Sequence, residues 1–399
     1  MPAQSAPLSS LCIVADDLSG AADCAASFAA VAGPMPVVLG GAANGDCVAV
    51  DTDTRAMSER DAVACVTHVF RELRERPRLV YKKIDSTLRG HVGAELAAAL
   101  RAGAFAGVMV APAFPDQGRT LVAGRLLVHG RAPDLGHSND LVAMLDAAGL
   151  RAALLSPPFE AAPLARRTEA LLQQGAKAIA VDASRQQDLA LVAAALCEVR
   201  PNVLVAGSAG LARALAAHVA PRAAALAPAG APELGGVLTI VGSFSAAAKA
   251  QVLQIEHSGS SQVIRLTAAQ WLDGQHAGLR RDVAAEARGA LASGRAALFA
   301  IAGEVVRPFT RSLVTAMART IAPLVPQAGT CVLTGGDTAH ALFAETGVGQ
   351  LEVVGEFEPG IALGRVAAQP GRTFVLKAGA FGDELALQRI IRHFGRAPS

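Results

Sequence analysis

The stretch L-C-I-V-A-D-D-L-S-G-A-A-D, from Leu11 to Asp23, decides the reading of the fold. An apolar run over residues 11–15 stops at Asp16-Asp17, and an Ala-rich helical stretch sets in from Gly20. A short apolar run that ends in acids and passes into a helix is the opening of a β-α-β unit. The pattern then recurs. Apolar runs follow at residues 47–50, 79–81, 107–110, 152–155, 178–181 and 203–206, with helical patterns at 59–74, 93–101 and 186–200 between them. Residues 221–236 are rich in Pro, Gly and Ala without amphipathic period, as in a linker. Beyond it the alternation restarts at 237–241, 263–266, 297–301, 330–334 and 373–376. The expectation is an α/β fold of two domains, 1–225 and 235–399, each a mostly parallel sheet flanked by helices. A length of 399 residues, at roughly 150 per domain, agrees with that division.

Composition removes several function classes. Lys+Arg 36 against Asp+Glu 34 leaves a net charge of +2, too little uncompensated cation for a phosphate backbone, so no nucleic-acid partner is expected. Aromatic residues at 4% argue against base-stacking platforms. No run approaches the ~20 apolar residues that span a bilayer, and residues 1–10 lack a signal-like core, so the expectation is a cytoplasmic protein without a membrane partner. The six cysteines form no C-x-x-C pair, and most read as small core residues. Lysine occurs only at Lys82, Lys83, Lys177, Lys249 and Lys377, which marks places where a compact ammonium is needed.

Polar residues just after a strand mark the crevice where open α/β sheets bind ligands. Asp16 and Asp17 sit at such an end, where they can accept sugar hydroxyls, act as general base or hold a metal; one of them can equally cap the following helix. The segment Y-K-K-I-D-S-T-L-R-G-H (81–91) gathers Lys82, Lys83, Asp85, Ser86 and Arg89. Cations for a carboxylate, with Asp and Ser for hydroxyls, suit a small anionic, hydroxylated ligand; the plainer alternative is a solvated loop. In D-T-D-T-R (51–55), Arg55 is either a bidentate carboxylate ligand or a surface residue.

The second half carries glycine loops after three of its strands: V-G-S-F-S (241–245), L-T-G-G-D-T-A (333–339) and L-K-A-G-A-F-G-D-E (376–384). Their backbone N–H groups, with Ser243, Ser245 and Thr338 near helix starts and Lys377 nearby, suit phosphates and point to nucleotide binding. No G-x-x-x-x-G-K-[ST] occurs, no G-x-G-x-x-G follows the first strand, and no H-E-x-x-H or G-x-S-x-G is present.

Together with A-P-A-F-P-D-Q-G-R-T (111–120), these motifs make the chain resemble the four-carbon acid sugar kinase family, in the family's order and from about residue 13 to 394. The resemblance implies an N-terminal acid-sugar-binding domain, a C-terminal ATP-binding domain and an active site in the cleft between them. It implies phosphorylation of the terminal (C4) hydroxyl of D-threonate, D-erythronate or a 3-oxo-tetronate, with ATP and Mg²⁺ as cofactors and D-threonate as the first choice. Asp16, Asp17, Arg55, Lys82, Asp85, Ser86 and Arg89 fall on its sugar-side motifs, and Lys83 adjoins them. Ser243, Gly335, Gly336 and Gly379 fall on its ATP-side motifs, with Ser245, Asp337, Thr338 and Lys377 beside them. Asp17 is favoured as base and Asp16 as hydroxyl clamp; no metal ligand is assigned. The expected partners are the sugar acid and ATP, with a homodimer as the candidate assembly. G-S-F-S stands where many relatives read G-S-C-S, and His91 where many carry Asn. A non-catalytic sensor of sugar acid and nucleotide, or a dehydratase or aldolase working without ATP, are the rival classes; sugar-acid-dependent ADP formation separates them.

Overall fold

The computed structural model describes residues 10–41, 45–73, 77, 79–134, 136–198, 202–220, 236–303, 310–369 and 371–395. They fall into two compact units, Met1–Ala225 and Leu226–Ser399. The linker expected over residues 221–236 lies, apart from Gly236, outside the described residues.

The strands of the first unit are β1 (Leu11–Ala15), β2 (Met35–Leu39), β3 (Cys47–Asp51), β4 (Leu79–Lys83), β5 (Gly107–Ala111), β6 (Arg119–Val122), β7 (Arg125–Val128), β8 (Ala152–Leu155), β9 (Ala178–Val181) and β10 (Val203–Gly207). Within this unit the sheet runs β2-β3-β1-β4-β10-β5-β9-β8, while β6 and β7 form a separate antiparallel hairpin. β1 pairs in parallel with both β3 and β4, placing Val14 beside Val50 on one side and Lys82 on the other. The chain leaves β1 towards β2 and β3, then crosses to β4. The switch point of the topology therefore lies between β1 and β4, where side chains beyond the strand ends share one crevice. Every residue of β1 is buried, as expected of a strand covered on both faces. The helix Leu18–Ala32 is buried from Leu18 to Ala29, because its run of Ala, Ser and Gly lets it lie close against the sheet and the helix Ala209–Val219. Burial pushes the Cys12 thiol up to about 12 and raises that of Cys24 as well, so these cysteines are inert core residues, as their spacing implied.

The second unit repeats this plan with β11 (Gly236–Val241), β12 (Gln262–Thr267), β13 (Ala297–Ala302), β14 (Ala328–Thr334), β15 (Gln350–Glu358), β16 (Ile361–Arg365) and β17 (Thr373–Lys377). Its order is β12-β13-β11-β14-β17-β16-β15, parallel from β12 to β17 and antiparallel from β17 to β15. The switch point falls between β11 and β14. The sequence reading did not reach β2, the β6–β7 hairpin, β15 or β16. β2 contains Pro36, which masks a strand, and β15 mixes apolar and acidic residues (Q-L-E-V-V-G-E-F-E) in place of a continuous apolar run.

One ion pair is built into the first unit's core. Lys82 on β4 is wholly buried, and its ammonium lies 2.7 Å from Glu95 Oε2 in the helix Val92–Ala102. Removing one partner leaves an uncompensated buried charge, which costs about 3–5 kcal/mol, whereas replacing both by apolar groups is often close to neutral. Lys82→Met is therefore expected to lower the urea-unfolding free energy by an amount of that order, with Lys82→Met/Glu95→Leu recovering most of it. A single-variant loss below about 1 kcal/mol would show that the pair carries no such strain.

Candidate active site

In the first unit, Asp16 and Asp17 follow β1, Arg55 follows β3 and Asp85 follows β4, so three neighbouring strand ends meet at the switch point. Arg55 occupies the centre. Its Nε and Nη2 donate to the two oxygens of Asp16 at 2.8 Å each, and Nη2 also donates to Asp17 Oδ1 at 2.7 Å. Its Nη1 lies 3.7 Å from Asp85 Oδ1. Asp85 takes a second fork from Arg89, through Nε and Nη2 at 2.8 Å each. Its Oδ2 also accepts the N–H groups of Thr87 at 3.1 Å and Arg89 at 3.2 Å, and the Thr87 hydroxyl, which folds residues 85–89 into a tight turn that also buries Ser86.

Asp17 fills the capping role that the sequence allowed and also meets Arg55. It caps the helix Leu18–Ala32, with Oδ1 accepting the Gly20 N–H at 3.1 Å, and it faces Arg55. Asp17 Oδ2 makes no bond among the described residues.

The two lysines of β4 point to opposite faces of the sheet, as successive strand residues must. Lys83 turns towards the helix Leu18–Ala32. A Cβ on Gly20 would lie 2.5 Å from Lys83 Nζ and 2.6 Å from Asp17 Oδ1, which puts the ammonium and the carboxylate oxygen both beside this glycine. Lys82 turns the other way onto Glu95. Of the two lysines read as substrate ligands, Lys83 is thus presented to the Asp16-Asp17 end, while Lys82 is committed to the core. Arg119, at the start of β6, was not singled out beforehand. Burial lowers its pKa, Asp85 raises it and Arg89 lowers it, so its guanidinium belongs to the same electrostatic cluster. The 111–120 motif marked its segment, but nothing local revealed where the side chain turns.

Burial alone would raise the Asp85 carboxyl, yet Arg55, Arg89 and Lys83 outweigh it and hold the group well below the usual carboxylate range. Asp16 is also lowered, burial being overcome by Arg55 and Lys83. The cluster thus keeps ionised carboxylates, which accept hydroxyls, among cations that attract a carboxylate.

In the second unit the three glycine loops follow β11, β14 and β17, which are adjacent strands, and the loops touch. Ser245 caps the helix Ala246–Ser258 by accepting the Ala248 N–H at 3.1 Å, and donates its hydroxyl to the Gly379 carbonyl at 2.6 Å. Ser243 Oγ lies 3.3 Å from Ser245 Oγ. A Cβ on Gly379 would collide with Ser243 Oγ, and one on Gly242 with Thr338 Oγ1. Gly335, at φ 104°, donates its N–H to the Lys377 carbonyl at 2.8 Å. Gly336 and Asp337 open the helix Gly336–Glu345, where Thr338 is buried. Lys377 departs from its expected role as a phosphate ligand. It is wholly buried, and its ammonium donates to the carbonyls of Ala378 at 3.1 Å and Phe381 at 2.9 Å. Burial pushes it down to about 7. Gln251, also unmarked in the sequence reading, reaches the same loop from the helix Ala246–Ser258, because only the folded chain brings residues 251 and 381 together.

Comparison with known proteins bears on both units. The family description "Sugar-binding N-terminal domain" matches residues 11–215, and "Nucleotide-binding C-terminal domain" matches residues 238–387. A D-threonate kinase of Cupriavidus necator is 38% identical over 94% of this chain and 95% of its own. A D-threonate kinase of Bordetella bronchiseptica is 32% identical with the same coverage. The chain belongs to the four-carbon acid sugar kinase family. As a four-carbon acid sugar kinase it is a phosphotransferase, and the strand-end clusters described above lie within the two matched regions. A solved structure from Salmonella typhimurium LT2 shares the kinase's fold, with a TM-score of 0.76 at 20% identity over 96% of this chain and 99% of that one.

The ion cluster makes stability depend on acid. Asp85 has a lower pKa folded than unfolded, so its contribution is complete above the unfolded value of about 4 and is lost as pH falls through the lower folded value. Urea-unfolding free energies should fall below about pH 4 and fall less steeply in Arg89→Ala. Parallel pH profiles for the two proteins would remove Asp85 as the source.

Proposed function

We propose that this kinase uses ATP to phosphorylate the C4 hydroxyl of a four-carbon sugar acid, with D-threonate as substrate. The observation that carries the reading is chemical complementarity at two switch points: carboxylates among arginines and Lys83 in the first unit, and crowded glycine loops in the second. The substrate choice follows the names of the relatives at 38% and 32% identity.

The sugar acid binds beside the Asp16-Asp17 end. Its carboxylate is drawn to Lys83 and to the outward N–H groups of Arg89 and Arg55, and its hydroxyls to Asp85, Asp16 and Ser86. Asp16 has both oxygens on Arg55 and serves mainly to hold that guanidinium in place. Asp17, with Oδ2 open, accepts the proton of the 4-hydroxyl. The hydroxyl oxygen forms a bond to the γ-phosphorus while the bond from that phosphorus to the β–γ bridging oxygen breaks, and ADP leaves. Such a transfer depends mostly on positioning and on neutralising charge, and both clusters are held by bonds made before any ligand arrives. ATP phosphates lie on the loops at Ser243, Gly335-Gly336 and Gly379, where backbone N–H groups near two helix starts suit an anion. Among the described residues no three His, Cys, Asp or Glu side chains group as a metal set. Mg²⁺ usually binds through one or two carboxylates plus the nucleotide phosphates; of the acids at these loops, Asp383 is taken by Arg389, and Asp337 opens the helix Gly336–Glu345.

Two measurements test this reading. ADP formation should require a four-carbon acid, with D-threonate giving a higher kcat/KM than D-erythronate; ADP release that ignores the acid would end the kinase assignment. Asp17→Asn keeps the shape but cannot take a proton, so kcat should fall by about 10²–10⁴ with little change in KM. A near-normal kcat in that variant would move the base elsewhere.

A further inference from the structure

We propose that Lys377 and Gln251 are positioning residues that turn the carbonyls of the 378–383 loop inward and so, together with Ser245 on the Gly379 carbonyl, aim the N–H groups of Gly379, Ala380 and Gly382 at a nucleotide phosphate. The inference rests on the nucleotide reading above and assigns the part played by two residues that cannot themselves reach the ligand. Lys377 and Gln251 are both wholly buried.

The loop's carbonyls are nearly all captured. Lys377 Nζ takes those of Ala378 and Phe381. Gln251 Nε2 takes those of Phe381 at 3.1 Å, Gly382 at 3.2 Å and Asp383 at 2.7 Å. Ser245 takes that of Gly379. In a trans peptide the C=O of one residue and the N–H of the next point in opposite directions. The cis bond of the described residues is Pro157-Pro158, so every peptide of this loop is trans. Capturing the carbonyls of Ala378, Gly379 and Phe381 therefore directs the N–H groups of Gly379, Ala380 and Gly382 away from the clamp. None of those three N–H groups makes a bond among the described residues, and Ala380 is exposed. Successive outward N–H groups in a glycine-bearing loop form a concave anion site.

The cost of the arrangement supports a function beyond packing. Gln251 leaves its own Oε1 buried without a hydrogen-bond partner, and Lys377 holds an ammonium on carbonyls with burial as the cause of its lowered pKa. An apolar residue at either place would avoid those penalties, but would release the carbonyls that set the peptide orientation. Gly382 suits the same place: it adopts φ 78°, and a Cβ there would lie 2.6 Å from the Ala386 methyl and 3.3 Å from Gln251 Nε2.

The test is calorimetric titration of ADP and of adenosine into the native kinase, Gln251→Leu and Lys377→Met, with the folding of each variant checked by circular dichroism. Losing the aim of one phosphate contact should weaken ADP binding by about 10- to 100-fold while adenosine binding is unchanged. The KM of the sugar acid should stay within about twofold, since both substitutions lie in the second unit, away from the strand ends of the first. Native-like ADP affinity in both folded variants would overturn the proposal. Should either variant fail to fold, hydrogen exchange on the native kinase decides. ADP, and not adenosine, should slow exchange at Gly379, Ala380 and Gly382, and an absence of protection there overturns the proposal. A native kinase that binds no ADP at all would overturn the nucleotide reading, and this inference with it.

Discussion

The Arg55 guanidinium is the constraint on which the first unit's site depends. It joins acids at the ends of β1 and β4 from a position after β3, so three strand ends are fixed relative to one another by one planar group. Arginine suits this role because its fork meets a carboxylate with two parallel bonds, whereas an ammonium would hold only a point. The two oxygens of Asp16 are spent on it, which leaves Asp17 as the acid with an oxygen open to chemistry. Adjacent residues thus differ in how they meet one guanidinium, Asp16 through both oxygens and Asp17 through one.

The second unit reaches a comparable rigidity by other means. Its loops carry few charges, and their shape comes from backbone carbonyls held by Ser245, Gln251 and Lys377 and from glycines crowded against Ser243 and Thr338. A cradle of N–H groups has no net charge of its own to desolvate, yet it favours an anion once its peptides are aligned. Both units place these devices at a switch point, the one region of a doubly wound sheet where adjacent strand ends open onto a shared crevice.

Buried charge recurs at each site and never without compensation. Lys82 has Glu95, Arg55 has three acids, and Lys377 has two carbonyls. The three differ in what they secure. The Lys82 pair fixes β4 against the helix Val92–Ala102, the Arg55 cluster fixes three strand ends, and Lys377 holds carbonyls of a loop. A lysine in this Arg-rich chain marks a buried environment at Lys82, Lys83 and Lys377 but not at Lys177 and Lys249, which are exposed.

The sequence by itself determined the class of the fold and the strand ends that matter. Apolar runs closed by Asp16-Asp17, by the 81–91 segment and by three glycine loops are local signals, since strand burial and turn chemistry act on neighbouring residues. The same locality hid β15 and β16, whose half-exposed alternation only makes sense as an antiparallel extension of a sheet already formed. What each polar side chain does was decided by tertiary structure. Lys82 and Lys83 are chemically identical and adjacent, and only the faces that β4 presents to two different helices send one to Glu95 and the other to Asp17 and Gly20. Gln251 reaches residues 381–383 across 130 positions of chain, and Arg55 reaches Asp16 across 39. Such pairings depend on strand order and on the length of the side chains that span the gap, and neither quantity is written in the spacing of a motif.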